Sequence, residues 1–434
     1  MCKVSHFTFI FLALFYISKP LAAQKNKTTS TDPNALRYED HIYKDYIRTV
    51  ELRQVGWKFS LPVIELNSGL QLQLDFDDLD GDIKSYYYTI VHCDADWQPS
   101  DINTFDFLKG VQQDFVNNYS SSFNTLQKYT HYTVAIPNND MQILLSGNYL
   151  LKIYLNNNPD SLVITRRFMV YENKVAIHPR EKQGIGSELF TRQGIVFNIN
   201  TARYTISDPF HALQVFIQQN GRWDNAISNV QPQFVMDTAL QYNADFGNTF
   251  DGGNEFRNVD MTSLRLISEH IARFIPNYDY AEVDLRPDKS RGKDPYITLP
   301  DIDGQYLIQT KDADSSTINS EYALVHFHLE MDTAFTTGNV YVFGQLSDWQ
   351  CRKNFKMDYV DSLKEYQDDI YLKQGYYDYQ YAFRPNNSKV ADVTILEGNH
   401  AETENTYTIY VYYRPIGIYY DKLIGVRSFH APTN

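Results

Sequence analysis

The sequence predicts an all-β protein made of β-sandwich domains in tandem, and three observations carry that prediction. Aromatic residues make up 15% of the 434-residue chain, led by 34 Tyr and 26 Phe, and such side chains suit a pleated, half-buried surface. Apolar positions recur with period two along many short segments, as they do in strands that turn one face to a core. Those segments never alternate with convincing helical patterns, which argues against a doubly wound parallel sheet. With 43% hydrophobic and 21% charged residues, the chain is globular and long enough for two or three cores.

Taken in order, residues 1–23 predict a secretory signal peptide. Lys3 precedes the apolar stretch Phe7–Ile17, and Pro20 followed by small residues sets cleavage after Ala23. The stretch is too short to span a bilayer, and no later segment is apolar for 18 residues, so no membrane span is expected. Residues 24–37 are polar and predict a disordered leader.

A first domain is expected over 38–172. Leu70, Leu72, Leu74 and Phe76 fall on one face of a strand, with Gln71, Gln73 and Asp75 on a face expected to be wet. Asp77–Asp82 predicts a turn, and strands follow at Tyr86–His92, Tyr132–Ile136, Asn148–Leu155 and Phe168–Tyr171. A second β domain is expected over 173–310, with strands at Ile195–Ile199, Leu213–Gln218, Phe234–Met236 and Leu264–Ile267. Ser263–Phe274 fits an amphipathic helix as well as a hairpin, and its strand-like neighbours favour the hairpin. The polar loops Arg286–Lys293 and Lys311–Asn319 mark the next boundary, so a third domain is expected over 311–434. Its strands are Ala323–Leu329, Val340–Phe343, Tyr377–Phe383 and Tyr407–Tyr413, at spacings typical of a sandwich.

Charge narrows the partners. The formal net charge of −14 becomes −16 once Lys3 and Lys19 leave with residues 1–23. Nucleic acid is not an expected partner, because a polyanion needs a basic surface and no Lys/Arg stripe exists. The same charge disfavours anionic lipid. Beyond residue 23 only Cys93 and Cys351 remain, enough for one bridge at most, so stability rests on cores rather than on a disulfide framework.

The candidates for chemistry each meet a plainer alternative. Asp78, Asp80 and Asp82 offer the carboxylate oxygens that calcium takes, yet Ile83 and Thr89 stand where an EF-hand needs Gly and Glu, and a solvated turn explains the acids as well. His92, Asp94 and Asp96 alternate along one strand face, and His326 with His328 forms a second such pair. A metal site needs at least three ligands with an open or completed shell, and nothing nearby in sequence supplies a clear set for either group. No G-x-S-x-G, H-E-x-x-H or phosphate-binding glycine loop is present, so no catalytic residue, metal or cofactor is assigned.

Two resemblances add to this. Tyr341–Trp349 (YVFGQLSDW) resembles early-set immunoglobulin-like modules, in which such a Trp can stack on a sugar, and Trp349 and Trp97 are the aromatic binding candidates. Val63–Leu66, His92–Ser100 (HCDADWQPS), Ser122–Thr125, Tyr129–Tyr132, Leu145–Leu150 (LSGNYL) and Gly252–Arg257 (GGNEFR) resemble, in this order, strings of the type IX secretion system plug proteins. Strand patterning and the first resemblance point to tandem immunoglobulin-like/early-set β-sandwich domains, and the second resemblance implies a non-enzymatic periplasmic protein, monomeric within a hetero-complex. Its implied partner is the outer-membrane translocon barrel, whose periplasmic mouth it closes. The strings themselves read as fold determinants, with Gly147 permitting a turn and Trp97 and Phe123 supplying core bulk. The alternative function is a periplasmic glycan-binding sandwich protein.

Overall fold

Alternation becomes pairing in three two-sheet sandwiches. The computed structural model describes residues 32, 34–184, 186–243, 247–275 and 277–432. The signal peptide expected over 1–23, cleavage at Ala23 and most of the leader expected over 24–37 therefore lie outside the described residues.

In the first sandwich, strands Ile47–Gln54, Leu72–Asp78, Thr130–Ile136 and Asn118–Ser121 form one antiparallel sheet. Tyr86–Cys93, Gly147–Leu155 and Leu162–Tyr171 lead the other, with Val63–Glu65 added in parallel to the last. Leu72, Leu74 and Phe76 are wholly buried in its core, each such side chain contributing about 1.5–3 kcal/mol. Phe76 stacks on Tyr132 at 5.1 Å and Tyr149 on Phe168 at 5.1 Å, which is where much of the aromatic excess goes.

The second sandwich sets Ala176–Gln183, Arg192–Asn200, Ala239–Tyr242 and Phe234–Met236 against a sheet of Leu213–Gln219, Asn405–Tyr413 and Lys422–Ala431. In the third, Gly375–Pro385 pairs with Arg257–Asp260, Tyr306–Ile308 and Gly338–Phe343. Its facing sheet holds Ile271–Ile275, Ala281–Leu285, Tyr322–Glu330 and Glu365–Lys373.

The segments expected as 173–310 and 311–434 thus share their strands. Leu213–Gln219 pairs along its length with Asn405–Tyr413, and Ala281–Asp284 pairs with Ala323–His326. The break expected near 310 lies inside the third sandwich, which is inserted between two parts of the second. The connections into and out of the insertion run side by side. His400 donates its amide to the Gly253 carbonyl, and Asn254 donates its side-chain amide to the Glu397 carbonyl. Gly252 is required by this close approach, since a Cβ there would lie 1.9 Å from the His400 carbonyl oxygen.

Two further expectations change. The strand expected at Leu264–Ile267 is irregular chain, and the ordered strand is Ile271–Ile275. The face of Leu72–Asp78 expected to be wet is covered, with Asp75 and Asp77 only 4% and 1% exposed, because the third sandwich packs over it. No helix among the described residues is long and apolar enough to cross a membrane.

Candidate functional site: the junctions and the cleft between the sandwiches

The first and second sandwiches meet through apolar side chains. Val63, Cys93, Trp97, Leu150 and Met169 pack with Phe216, Tyr410, Tyr412 and Leu423 in one buried cluster. The Arg167 guanidinium lies 4.4 Å over the Trp97 ring, and Trp97 meets Trp223 edge-on at 5.3 Å. The Tyr412 hydroxyl donates to Asn148 Oδ1 at 2.7 Å, and the Ala95 amide donates to Asp421 at 3.0 Å. The HCDADWQPS and LSGNYL strings are thus the first sandwich's half of a permanent seam.

The first and third sandwiches meet through polar groups instead. Asp77 Oδ2 accepts from Lys373 Nζ at 2.6 Å and from the Tyr322 hydroxyl at 2.7 Å, with both charged groups 1% exposed. Asp77 Oδ1 lies 2.7 Å from His131 Nδ1, whose other nitrogen faces Asp75 at 3.5 Å. Burial alone would raise Asp77, but Lys373 and His131 outweigh it and hold its carboxyl below the ordinary carboxylate value. Burial likewise opposes the His131 proton, yet the hydrogen bonds to Asp75 and Asp77 win and hold it up to about 9. Nearby Glu51 is pushed up to about 7 by burial. A polar cavity of about 190 Å³ beside Lys373 completes this seam.

Where all three sandwiches come together a cleft of about 920 Å³ opens. The first sandwich supplies Trp57, Lys58 and Phe59, the second Thr406, Ser428 and Arg427, and the third Asp303, Gln305 and Trp349. Trp57 is 70% exposed. Its turn is fixed by the Trp57 amide donating to the Gln54 carbonyl at 3.1 Å and by Ser60 Oγ accepting from the Gln54 amide at 2.7 Å.

The residues singled out in the sequence are mostly structural in their surroundings. The oxygens of Asp78, Asp80 and Asp82 do converge, but Lys84 Nζ lies 2.8 Å from Asp78 and 3.3 Å from Asp82, and also bonds Asp80. The Lys84 ammonium stands where the calcium reading would have put its ion. His92, 1% exposed, is pushed down to about 4 by burial. Its Nδ1 meets Ser100 Oγ at 2.8 Å, and that hydroxyl donates to Asp94 at 2.5 Å. Nucleophilic catalysis needs the imidazole between hydroxyl and carboxylate, and here the hydroxyl is in the middle. Asp96 accepts from the Gln98 amide.

His326 lies between Asp369 at 2.6 Å and Glu282 at 3.4 Å, and His328 between Asp284 at 3.0 Å and Glu365 at 3.2 Å. These are cross-strand contacts between imidazoles and carboxylates on one sheet face. Trp97 is 5% exposed in the first seam. Trp349 borders the cleft, but its ring is held edge-on by Phe343 at 5.6 Å and Phe256 at 5.9 Å, with the Arg222 guanidinium at 5.5 Å. Phe123, expected in the core, is 61% exposed; its amide donates to the Ile318 carbonyl of the third sandwich. Cys93 and Cys351 are both free thiols, raised by burial to about 12 and about 11.

The sequence reading missed Trp57, Lys58, Phe59 and Arg427. The available signal was Gly56-Trp57-Lys58-Phe59-Ser60, where bulky apolar residues sit in a turn that has no strand to bury them.

Residues 47–172 match the family model for the type 9 secretion system plug protein 1st domain. The crystal structure of a hypothetical protein from Parabacteroides merdae is similar to this chain at 32% identity and a TM-score of 0.88, over 91% of this chain and 100% of that one. Comparison with curated proteins gives no match.

Proposed function

Because the chain belongs to the type 9 secretion system plug protein family, we propose that it is the gate that closes the periplasmic mouth of the outer-membrane translocon barrel. Family membership carries a role in type IX secretion, an association with its machinery and a cell-envelope location. The finer reading is a non-enzymatic periplasmic subunit, monomeric within a hetero-complex and seated against the barrel.

One observation carries the geometry of this reading. Insertion through two adjoining connections ties the third sandwich to the second, and an apolar seam ties the second to the first, so the chain from Leu36 onward clusters as one compact unit. A stopper must resist displacement as a whole, and covalent insertion with buried seams supplies that resistance without any reacting group. It must also leave, so the contact with the barrel is expected to be partly polar, as transient interfaces are.

Deletion of the protein tests the proposal. The outer membrane should become permeable to large hydrophilic solutes while the barrel remains in place, and wild-type protein should restore the barrier. A deletion strain that keeps its barrier with the barrel present would refute gating.

A further inference from the structure

Closing a pore does not require an open cleft at the meeting point of three sandwiches, and this one is chemically uneven. Its volume, about 920 Å³, is at the upper end of ligand-site sizes. Most charges around it already answer one another. Arg166 pairs with Asp348 at 3.2 Å, and Arg352 also bonds Asp348, at 2.6 Å. Asp40 accepts the Arg167 amide at 2.7 Å, and Asp303 accepts the Thr406 hydroxyl at 2.5 Å. Lys58 and Arg427 differ. Both are exposed, and neither makes an ion pair or a side-chain hydrogen bond among the described residues.

The lining sets Asp40, Glu51, Asp303 and Asp348 against Lys58, Arg166, Arg167 and Arg427, so in a chain of net charge −14 the cleft is balanced in formal charge, and its two unpaired cations are placed to attract and orient an acidic partner. Beside them stand Trp57 at 70% and Phe59 at 44% exposure. Aromatic residues with exposed faces on a preformed turn are the kind of anchor that dominates peptide binding.

We propose that this cleft is a docking groove for an extended acidic peptide segment of a partner protein, with Lys58 and Arg427 pairing its carboxylates and Trp57 and Phe59 covering its apolar side chains. The inference goes beyond gating and does not depend on it. A neutral glycan fits less well, since it makes no use of two unpaired cations, and the ring of Trp349 is already flanked by Phe256, Phe343 and Arg222.

The test uses the purified chain and three fluorescein-labelled probes: a peptide alternating Glu with Tyr, its Lys–Tyr counterpart, and a neutral malto-oligosaccharide of similar length. The Glu–Tyr peptide should bind with an affinity that weakens as salt is added. The double variant Lys58→Glu/Arg427→Glu should lose about tenfold or more in affinity, and Trp57→Ala a similar amount. All three positions are exposed, and an unchanged melting temperature checks that the variants fold.

Failure of the Glu–Tyr peptide to bind, binding indifferent to charge reversal, or preference for the Lys–Tyr peptide or the oligosaccharide would each overturn the proposal. The permeability barrier of a strain carrying the double variant reports on the gate separately, so either reading can fail alone.

Discussion

His131→Gln should destabilise the protein by about 3 kcal/mol near pH 6 and by almost nothing near pH 9.5. The ring lies 2.7 Å from Asp77 and 3.5 Å from Asp75, with its side chain 14% exposed. Its folded-state value of about 9 stands above the ordinary 6.5, a difference equivalent to about 3 kcal/mol at about 1.4 kcal/mol per unit. The folded protein therefore holds this proton more tightly than the unfolded chain does. The stabilisation is complete below about pH 6.5 and is lost as the pH rises through about 9. Asp77, held below its ordinary value, works the other way: its share is present above the usual carboxylate range and disappears on acidification.

Glutamine keeps a hydrogen-bonding side chain but has no charge to lose, so wild type and variant should converge as the proton leaves. Thermal unfolding followed by near-ultraviolet circular dichroism at the two pH values measures the gap. At about 2.1 cal/mol/K per residue, a unit running from Leu36 to the end of the chain shifts by about 1.2 °C per kcal/mol, so the midpoint difference near pH 6 should be about 3–4 °C. A gap that stays constant, or widens toward high pH, would refute the assignment of a charged His131 to the polar seam.

Lys373→Met leaves Asp77 buried without its ammonium and should cost about 3–5 kcal/mol; Lys84→Met should cost less, because the Lys84 side chain is 20% exposed. Comparing their melting midpoints checks the order. Gly252→Ala forces the inserted sandwich's two connections apart and should lower the midpoint more than Gly253→Ala. At the latter the Cβ meets nothing within 4 Å and the left-handed φ of 71° costs about 1–2 kcal/mol. Millimolar calcium should leave the wild-type midpoint unmoved, since Lys84 already answers Asp78, Asp80 and Asp82; Lys84→Gln should make the midpoint rise with calcium.

Period-two alternation was sufficient to place most strands, because the pattern is local: Leu72, Leu74 and Phe76 point where their spacing requires. The same segment shows where local reasoning stops. Asp75 and Asp77 carry the marks of a solvent face, and only Lys373 and Tyr322, some 245 to 296 positions along the chain, turn that face inward. The insertion was illegible for a related reason. Tyr407–Tyr413 alternates like any strand, and nothing within it says that its partner is Leu213–Gln219 rather than a nearer neighbour.

The aromatic candidates illustrate a different limit. Asp96-Trp97-Gln98 and Asp348-Trp349-Gln350 are the same tripeptide, and in both the Trp adopts a left-handed φ, 63° and 54°. Composition marks these tryptophans as notable. Only packing distinguishes a wedge that fixes a turn from a platform offered to a ligand, and Trp57, the most exposed of the four tryptophans, lies outside either motif.

The insertion also sets an order of assembly during synthesis. The first sandwich is complete once the chain reaches about residue 172, and the third has its last paired strand by Pro385. The middle sandwich must wait for Asn405–Tyr413 and Lys422–Ala431, the final two strands, although its first strand, Ala176–Gln183, emerged more than 200 residues earlier. A chain stopped near residue 400 would therefore end beside two finished neighbours with its centre open, half of an apolar core exposed. The last 30 residues act as the keystone of the molecule, so a short C-terminal truncation should be more damaging than its length suggests.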